Sequence, residues 1–178
     1  MRSLSSEVNR LLAANPEKLP LTRSALHPQV DACRIQSQEV RVLFAGARHG
    51  QAALAGLLLR LECWDESHNV SQEIHSPEGS YWHGIVHRME PDSSNAGYWF
   101  RQVGRHAIFP ELRERASQIL NESGQKNWSL KPEWDPFLFI DWCTEALETR
   151  GDAEAAAIEI QMAEWQLLFD WCVAENSG

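Results

Sequence analysis

The chain has 178 residues, a formal net charge of −9, 43% hydrophobic residues and 23% charged residues. That size and balance fit one soluble globular domain with an ordinary core, and argue against disorder or a scaffold that needs disulfide or metal staples. The acidic balance disfavours general nucleic-acid binding, which needs a basic face, and no apolar run approaches the roughly 18 residues of a membrane span.

In chain order, Ser6 to Ala14 carries Val8, Leu11 and Leu12 at helical spacing, with Ser5 or Ser6 as N-cap and Asn15-Pro16 as the stop. The stretch through LPLTRSALHPQVDACRIQ has two prolines and little periodicity, so it reads as a connector, and Val40 to Ala47 continues toward a helix that His49-Gly50 breaks. Ala52 to Trp64 is almost continuously apolar and free of β-branched residues, which predicts a buried central helix. The following DESHNVSQEIHSPEGS turns polar and ends in a loop signal. Ser80 then caps a helix to about Glu90, Pro91 ends it, and Asp92 or Ser93 starts another that runs to Gly104, placed as its left-handed C-terminal residue. Pro110 opens a helix ending near Ser123-Gly124, Asp135-Pro136 opens PFLFIDWCTEALE, and Gly151-Asp152 separates that from a long final helix. No alternating run long enough for a sheet and no internal repeat is present. The expected architecture is all-α: a single-domain irregular bundle of six to seven helices over residues 1–178, with 1–50 a peripheral helix and connector and 51–175 the core.

Cys33, Cys63, Cys143 and Cys172 form no CxxC pair, so reduced and mostly buried thiols are expected. The N-terminal residues show no apolar core of a secretory signal, which points to the cytoplasm.

Chemistry concentrates between Ser80 and His106. His83, His87 and Glu90 fall at i, i+4 and i+7, one face of a helix, and two imidazoles at i and i+4 can approach one transition-metal ion. Asp65 and His68 in DESH offer further ligands, so the expected metal set is His68, His83, His87, Glu90 and Asp65, with zinc, iron or manganese as the ion. HGIVH lacks the glutamate of HExxH, since Gly84 stands there. The same residues also suit metal-free acid–base chemistry, with His87, Glu90 and Asp92 as catalytic groups. They equally suit a structural role, with the histidines bonded to neighbours and Glu90 paired to Arg88 or Arg101. Arg88 and Arg101 can orient an anion, and Trp82, Asn95 and Tyr98 can wall a pocket for a small polar, anionic or sugar-like substrate.

The runs DESHNVSQ, YWHGIVHRMEPD, NAGYWFRQVG and WDPFLFIDWC resemble a family of short bacterial and fungal proteins with the pattern DESH, YWHxxxHRxEPDxxNAxYWFRxVG and WDPFxFxD. The resemblance spans about Leu57 to Cys143, with mild departures at Met89 and Gly97. It implies a set of positions rather than a reaction: Asp65, Glu66, His68, Gln72, His83, His87, Arg88, Glu90, Asp92, Asn95, Arg101 and Asp141. Two functions follow as expectations: a small metal-dependent enzyme with a His/Glu site, or a non-catalytic helical module that binds a small anion or a protein partner through Arg and Trp residues.

Overall fold

The computed structural model describes residues 5–14, 18–23, 39–125 and 127–175. Among them run nine α-helices: α1 (Ser6–Ala14), α2 (Val40–Leu43), α3 (Gly50–Arg60), α4 (Trp64–Gln72), α5 (Pro77–Met89), α6 (Ser93–Val103), α7 (Phe109–Ser123), α8 (Pro136–Thr149) and α9 (Asp152–Val173). An isolated bridge between Ala47 and Glu175 is the sole β pairing among the described residues. The all-α expectation holds, with more helices than the six or seven expected. The connector expected before Val40 lies mostly outside the described residues.

The largest departure is α4. A polar run after Trp64 reads as a tail, yet Asp65 and Glu66 sit in its first turn, where the helix dipole favours negative charge. Two of its polar residues are not solvent-facing at all: Ser67 and Ser71 are fully buried. Ser67 Oγ donates to the Ala55 carbonyl of α3 at 2.9 Å, which satisfies the hydroxyl and fixes α4 against α3.

α5 begins one turn before the expected Ser80. Ser76 caps it by accepting from the Gly79 N–H at 3.3 Å, and Pro77 occupies the first turn, where its missing N–H is harmless. Every residue from Glu78 to Met89 is buried, so α5 is enclosed by α3, α4 and α6 and by the final helix. Close approach is possible because glycines face the neighbours. A Cβ added at Gly56 would lie 2.5 Å from the Trp82 ring, and one at Gly84 would lie 3.0 Å from Phe100 of α6. Trp165 of α9 donates its indole N–H to the Gly56 carbonyl at 2.8 Å, which locks the same junction from the third side.

Enclosing a helix that carries charge requires internal partners. Arg88 and Glu164 form a buried ion pair between α5 and α9, with side-chain exposures of 1% and 0%. Tyr81 donates to the other carboxylate oxygen at 3.0 Å. Arg88 also donates to Gln161 at 3.2 Å, and Gln161 in turn donates to the Pro20 carbonyl at 2.8 Å. That last bond seats residues 18–23 on α9, and Leu19 and Leu21 are buried, so part of the expected periphery belongs to the core. The guanidinium lies 4.5 Å over the Phe139 ring of α8, a cation–π contact that covers its remaining face.

A second buried carboxylate, Glu78, holds the start of α5. Its oxygens accept from Trp171 Nε1 at 3.1 Å and Ser76 Oγ at 2.8 Å, with His106 Nε2 at 3.6 Å and His49 Nε2 at 3.4 Å. Burial alone would raise its pKa; the donors from His106, the helix backbone, Trp171 and Ser76 outweigh it and hold the carboxyl well below the usual range.

Asp92 and Asp135 cap α6 and α8 as expected, accepting from the Asn95 N–H and from the Phe137 and Leu138 N–H groups. Gly104 takes a positive φ of 63° but with ψ of −131°, outside the left-handed helical basin expected for it. Cys143 and Cys172 are free and buried, whereas Cys63 is disulfide-bonded, against the expectation of reduced thiols. Cysteines far apart in sequence carry no spacing signature that would have shown it. No helix among the described residues is long and apolar enough to cross a membrane.

Removing one partner of a desolvated pair strands the other charge. Arg88→Met is therefore expected to lower the unfolding free energy by about 3–5 kcal/mol in urea titration, and adding Glu164→Leu to recover part of that loss. A single-variant loss under about 1 kcal/mol would contradict the role of this pair.

Candidate metal centre

α4 and α5 bring three histidines from two sequence motifs to one point. The ring centroids of His68 and His83 are 4.4 Å apart, those of His68 and His87 5.3 Å, and those of His83 and His87 4.8 Å. Among the described residues this is the one group of three potential ligands whose ligand atoms all lie within 4.8 Å of one another. His83 and His87 are buried and His68 is partly exposed, so the centre opens on the α4 side.

The hydrogen bonds decide which nitrogens face inward. Ser71 Oγ lies 3.1 Å from the His68 carbonyl and 3.1 Å from His83 Nδ1. The hydroxyl has one proton, and the carbonyl can only accept, so the hydroxyl donates there and accepts from His83 Nδ1–H. His83 Nε2 is then a bare lone pair. His87 Nδ1 lies 3.3 Å from a Glu90 carboxylate oxygen but makes no well-formed hydrogen bond there, so the His87 proton has two places: Nδ1, facing Glu90, or Nε2, facing His83. The two Nε2 atoms are 3.0 Å apart. With the His87 proton on Nε2 this contact is a hydrogen bond to the bare His83 Nε2; with it on Nδ1 two lone pairs face each other, and a cation between them would relieve their repulsion. A tetrahedral ion with bonds of about 2.1 Å places two nitrogens about 3.4 Å apart, so the pair would open by a few tenths of an ångström to hold one.

The electrostatics agree with neutral imidazoles. Burial, followed by the proximity of His68 and His87, pushes the His83 pKa down to about 3. Burial is also the largest effect on His87 and outweighs the attraction of Glu90, so its value is lowered too. Neutral imidazole is the form that binds a metal ion.

Around this trio, Trp99 of α6 lays its ring 4.2 Å from that of His83. Glu90 and Asp65, both expected as ligands, lie outside the group of converging ligand atoms. Glu90 stands behind His87, on the Nδ1 side. Asp65 is on the outer surface, where Arg23 Nη1 and Nη2 meet its carboxylate at 2.9 and 3.0 Å. The same guanidinium is 3.8 Å from Glu90, and the Arg23 backbone N–H donates to the Met89 carbonyl at 2.9 Å. Arg23 thus clasps the two helices that carry the histidines. Sequence reasoning missed it because it lies 42 and 67 positions from its partners in a stretch without periodicity. Ser71 was missed for a related reason: a serine in a polar run gives no sign of being buried.

The remaining candidates are spread out. Trp82 and Arg88 are core residues, enclosed on α5, rather than pocket walls. Asp92 and Asn95 bond each other at the start of α6, with Asn95 Nδ2 donating at 2.8 Å. Tyr98 is exposed. Arg101 follows Trp99 by two residues, about 200° around the helix, and lines a cleft on the other side of α6. Gly84 has its explanation in the Phe100 contact: a glutamate in the HExxH position would collide with α6.

No family model, curated protein or solved structure matches this chain.

Because the folded-state pKa of His83 is depressed, the unfolded chain takes up a proton between pH 6.5 and about 3 that the folded chain does not. The stability this neutral group confers is present above pH 6.5 and lost as pH falls through that window. Chelator-treated protein should accordingly lose stability on acidification more steeply than its His83→Gln variant. Identical slopes in the two proteins would show that His83 does not titrate in this way.

Proposed function

We propose that the protein is a small metal-dependent enzyme, with His68, His83 and His87 as the ligands and a small polar or anionic molecule as substrate. The observation that carries this reading is the convergence of three imidazoles from two helices with ligand atoms within 4.8 Å of one another, His83 turned by its Ser71 bond and His87 standing beside Glu90. Outer partners of that kind orient metal-binding imidazoles and fix their tautomer. Three histidines without a fourth protein ligand match the open coordination of catalytic zinc more closely than the closed sets of structural zinc; iron and manganese are the other candidate ions. Such an ion would supply Lewis acidity and lower the pKa of a bound water toward neutrality.

In this reading the chain's own residues divide the work. Ser71 and Glu90 hold the two imidazoles of α5 in register. Arg23 holds Glu90 and Asp65, and with them the relative placement of α4 and α5. The partly exposed side of His68 is the approach for substrate, and the Trp99 ring closes the opposite side against His83. Glu90, half-exposed and adjacent, is placed to relay a proton to solvent.

Protein purified without an affinity tag, stripped with chelator and titrated with zinc, manganese and ferrous iron is expected to bind about one equivalent. His83→Ala and His87→Ala should abolish that binding, and Ser71→Ala should weaken it about 10- to 100-fold. Turnover of a panel of small phosphate and carboxylic esters should return only with metal. Substoichiometric metal unaffected by the histidine substitutions would sink the proposal.

A further inference from the structure

On the side of α6 away from the histidines, the end of α6, the start of α7 and residues 131–137 enclose a cleft of about 720 Å3 that continues into a hollow of about 220 Å3. Both parts share Phe109 and Trp134 as apolar walls, and Phe137, 40% exposed, lies at the rim of the larger part. Pro132 and Pro136 stiffen the loop that carries Trp134.

The cleft is basic in an acidic chain. Arg105 pairs with Glu133 and Lys131 with Asp135, and those charges cancel. Arg101 and Arg113 have no carboxylate partner among the described residues; Arg113 donates only to the Lys131 carbonyl, at 3.0 Å. Arg101 and Phe137 both extend over Gly97, where a Cβ would stand 3.6 Å from Arg101 Nη1 and 3.9 Å from Phe137. Glycine at position 97, one of the two departures from the sequence pattern, is buried beneath them, and a Cβ there would be in ordinary contact with both. A forked cation beside an exposed ring, Phe137, above a cleft lined by Phe109 and the largely buried Trp134 is complementary to a flat ligand with a carboxylate at its edge: the rings pack on it, and the guanidinium takes both oxygens.

We infer that this cleft is a second ligand site, separate from the histidine centre, which binds a small aromatic carboxylate with its ring system against Phe109, Trp134 and Phe137 and its carboxylate on Arg101. Nothing in the arrangement provides a nucleophile or a metal ligand set, so the site binds rather than reacts. Its distance around α6 from Trp99 makes it independent of metal loading.

The experiment is isothermal titration of chelator-treated full-length protein with 2-naphthoate, with the neutral 2-naphthamide and inorganic phosphate as controls. Naphthoate should bind with a stoichiometry near one and at least tenfold more tightly than either control. Arg101→Gln should weaken it about tenfold or more, on the scale of a hydrogen bond to a charged group, and Phe137→Ala should also weaken it. Arg101 and Phe137 are exposed, so both variants should keep the parent's thermal midpoint. Binding should persist in a His83→Ala/His87→Ala variant, which separates this site from the proposed metal centre. No binding at millimolar naphthoate, equal affinity for the amide, or binding indifferent to Arg101→Gln and Phe137→Ala would overturn the inference.

Discussion

The structure depends on the enclosure of α5. A helix buried on all sides is normally apolar all round, yet this one carries Glu78, Tyr81, His83, His87 and Arg88. Each must find a partner inside the protein, because an unpaired buried charge costs several kcal/mol. The partners come from different directions. Glu78 draws on Trp171 of α9, on His49 and on His106; Arg88 draws on Glu164 and Gln161 of α9; His83 draws on Ser71 of α4. Satisfying them together fixes the positions of α4 and α9 around α5 more tightly than apolar packing alone would. The glycines at 56 and 84 allow those neighbours to come close enough for these bonds.

The histidine centre is what remains on the one side of α5 where the enclosure is incomplete. His83 and His87 face α4, and α4 presents His68 with part of its ring in solvent. Were the trio a structural network, its donors and acceptors should close on one another. Instead His83 Nδ1 is taken by Ser71, His87 Nδ1 stands 3.3 Å from Glu90 without a well-formed hydrogen bond, and the two Nε2 atoms meet at 3.0 Å. In the Arg88–Glu164 network both carboxylate oxygens are taken by donors although Arg88 Nε and Nη1 lack hydrogen-bond partners among the described residues, so what singles out the histidine centre is the convergence of three metal-binding side chains.

Much of this was legible in the sequence where the signal was local. The i, i+4 histidines, the Asp92 and Asp135 caps and the apolar segment from Ala52 each follow from spacing or turn chemistry within a few residues, although the helix expected to run to Trp64 stops at Arg60. What was hidden depended on burial. DESHNVSQ reads as solvent-facing by composition, but Ser67 and Ser71 point inward and make α4 a packed helix. Trp82 and Arg88 sit beside His83 and His87 in sequence, which groups them with the same pocket; one residue along a helix is a turn of about 100°, which delivers them to the core. Arg101 is parted from Trp99 by the same geometry. Arg23 pairs with residues distant in the sequence, for which periodicity holds no information. Glu90 illustrates an intermediate case: its spacing correctly puts it near His87, but spacing does not say which ring nitrogen it meets.

The central claim is that one ion is held by His68, His83 and His87 together. X-ray absorption at the metal edge, on protein loaded with one equivalent of zinc, tests it most directly. The account predicts three imidazole nitrogens at about 2.0–2.1 Å with one or two further oxygen scatterers, falling to two imidazoles in His68→Ala. A shell of oxygen atoms alone, or a spectrum that His68→Ala leaves unchanged, would contradict it.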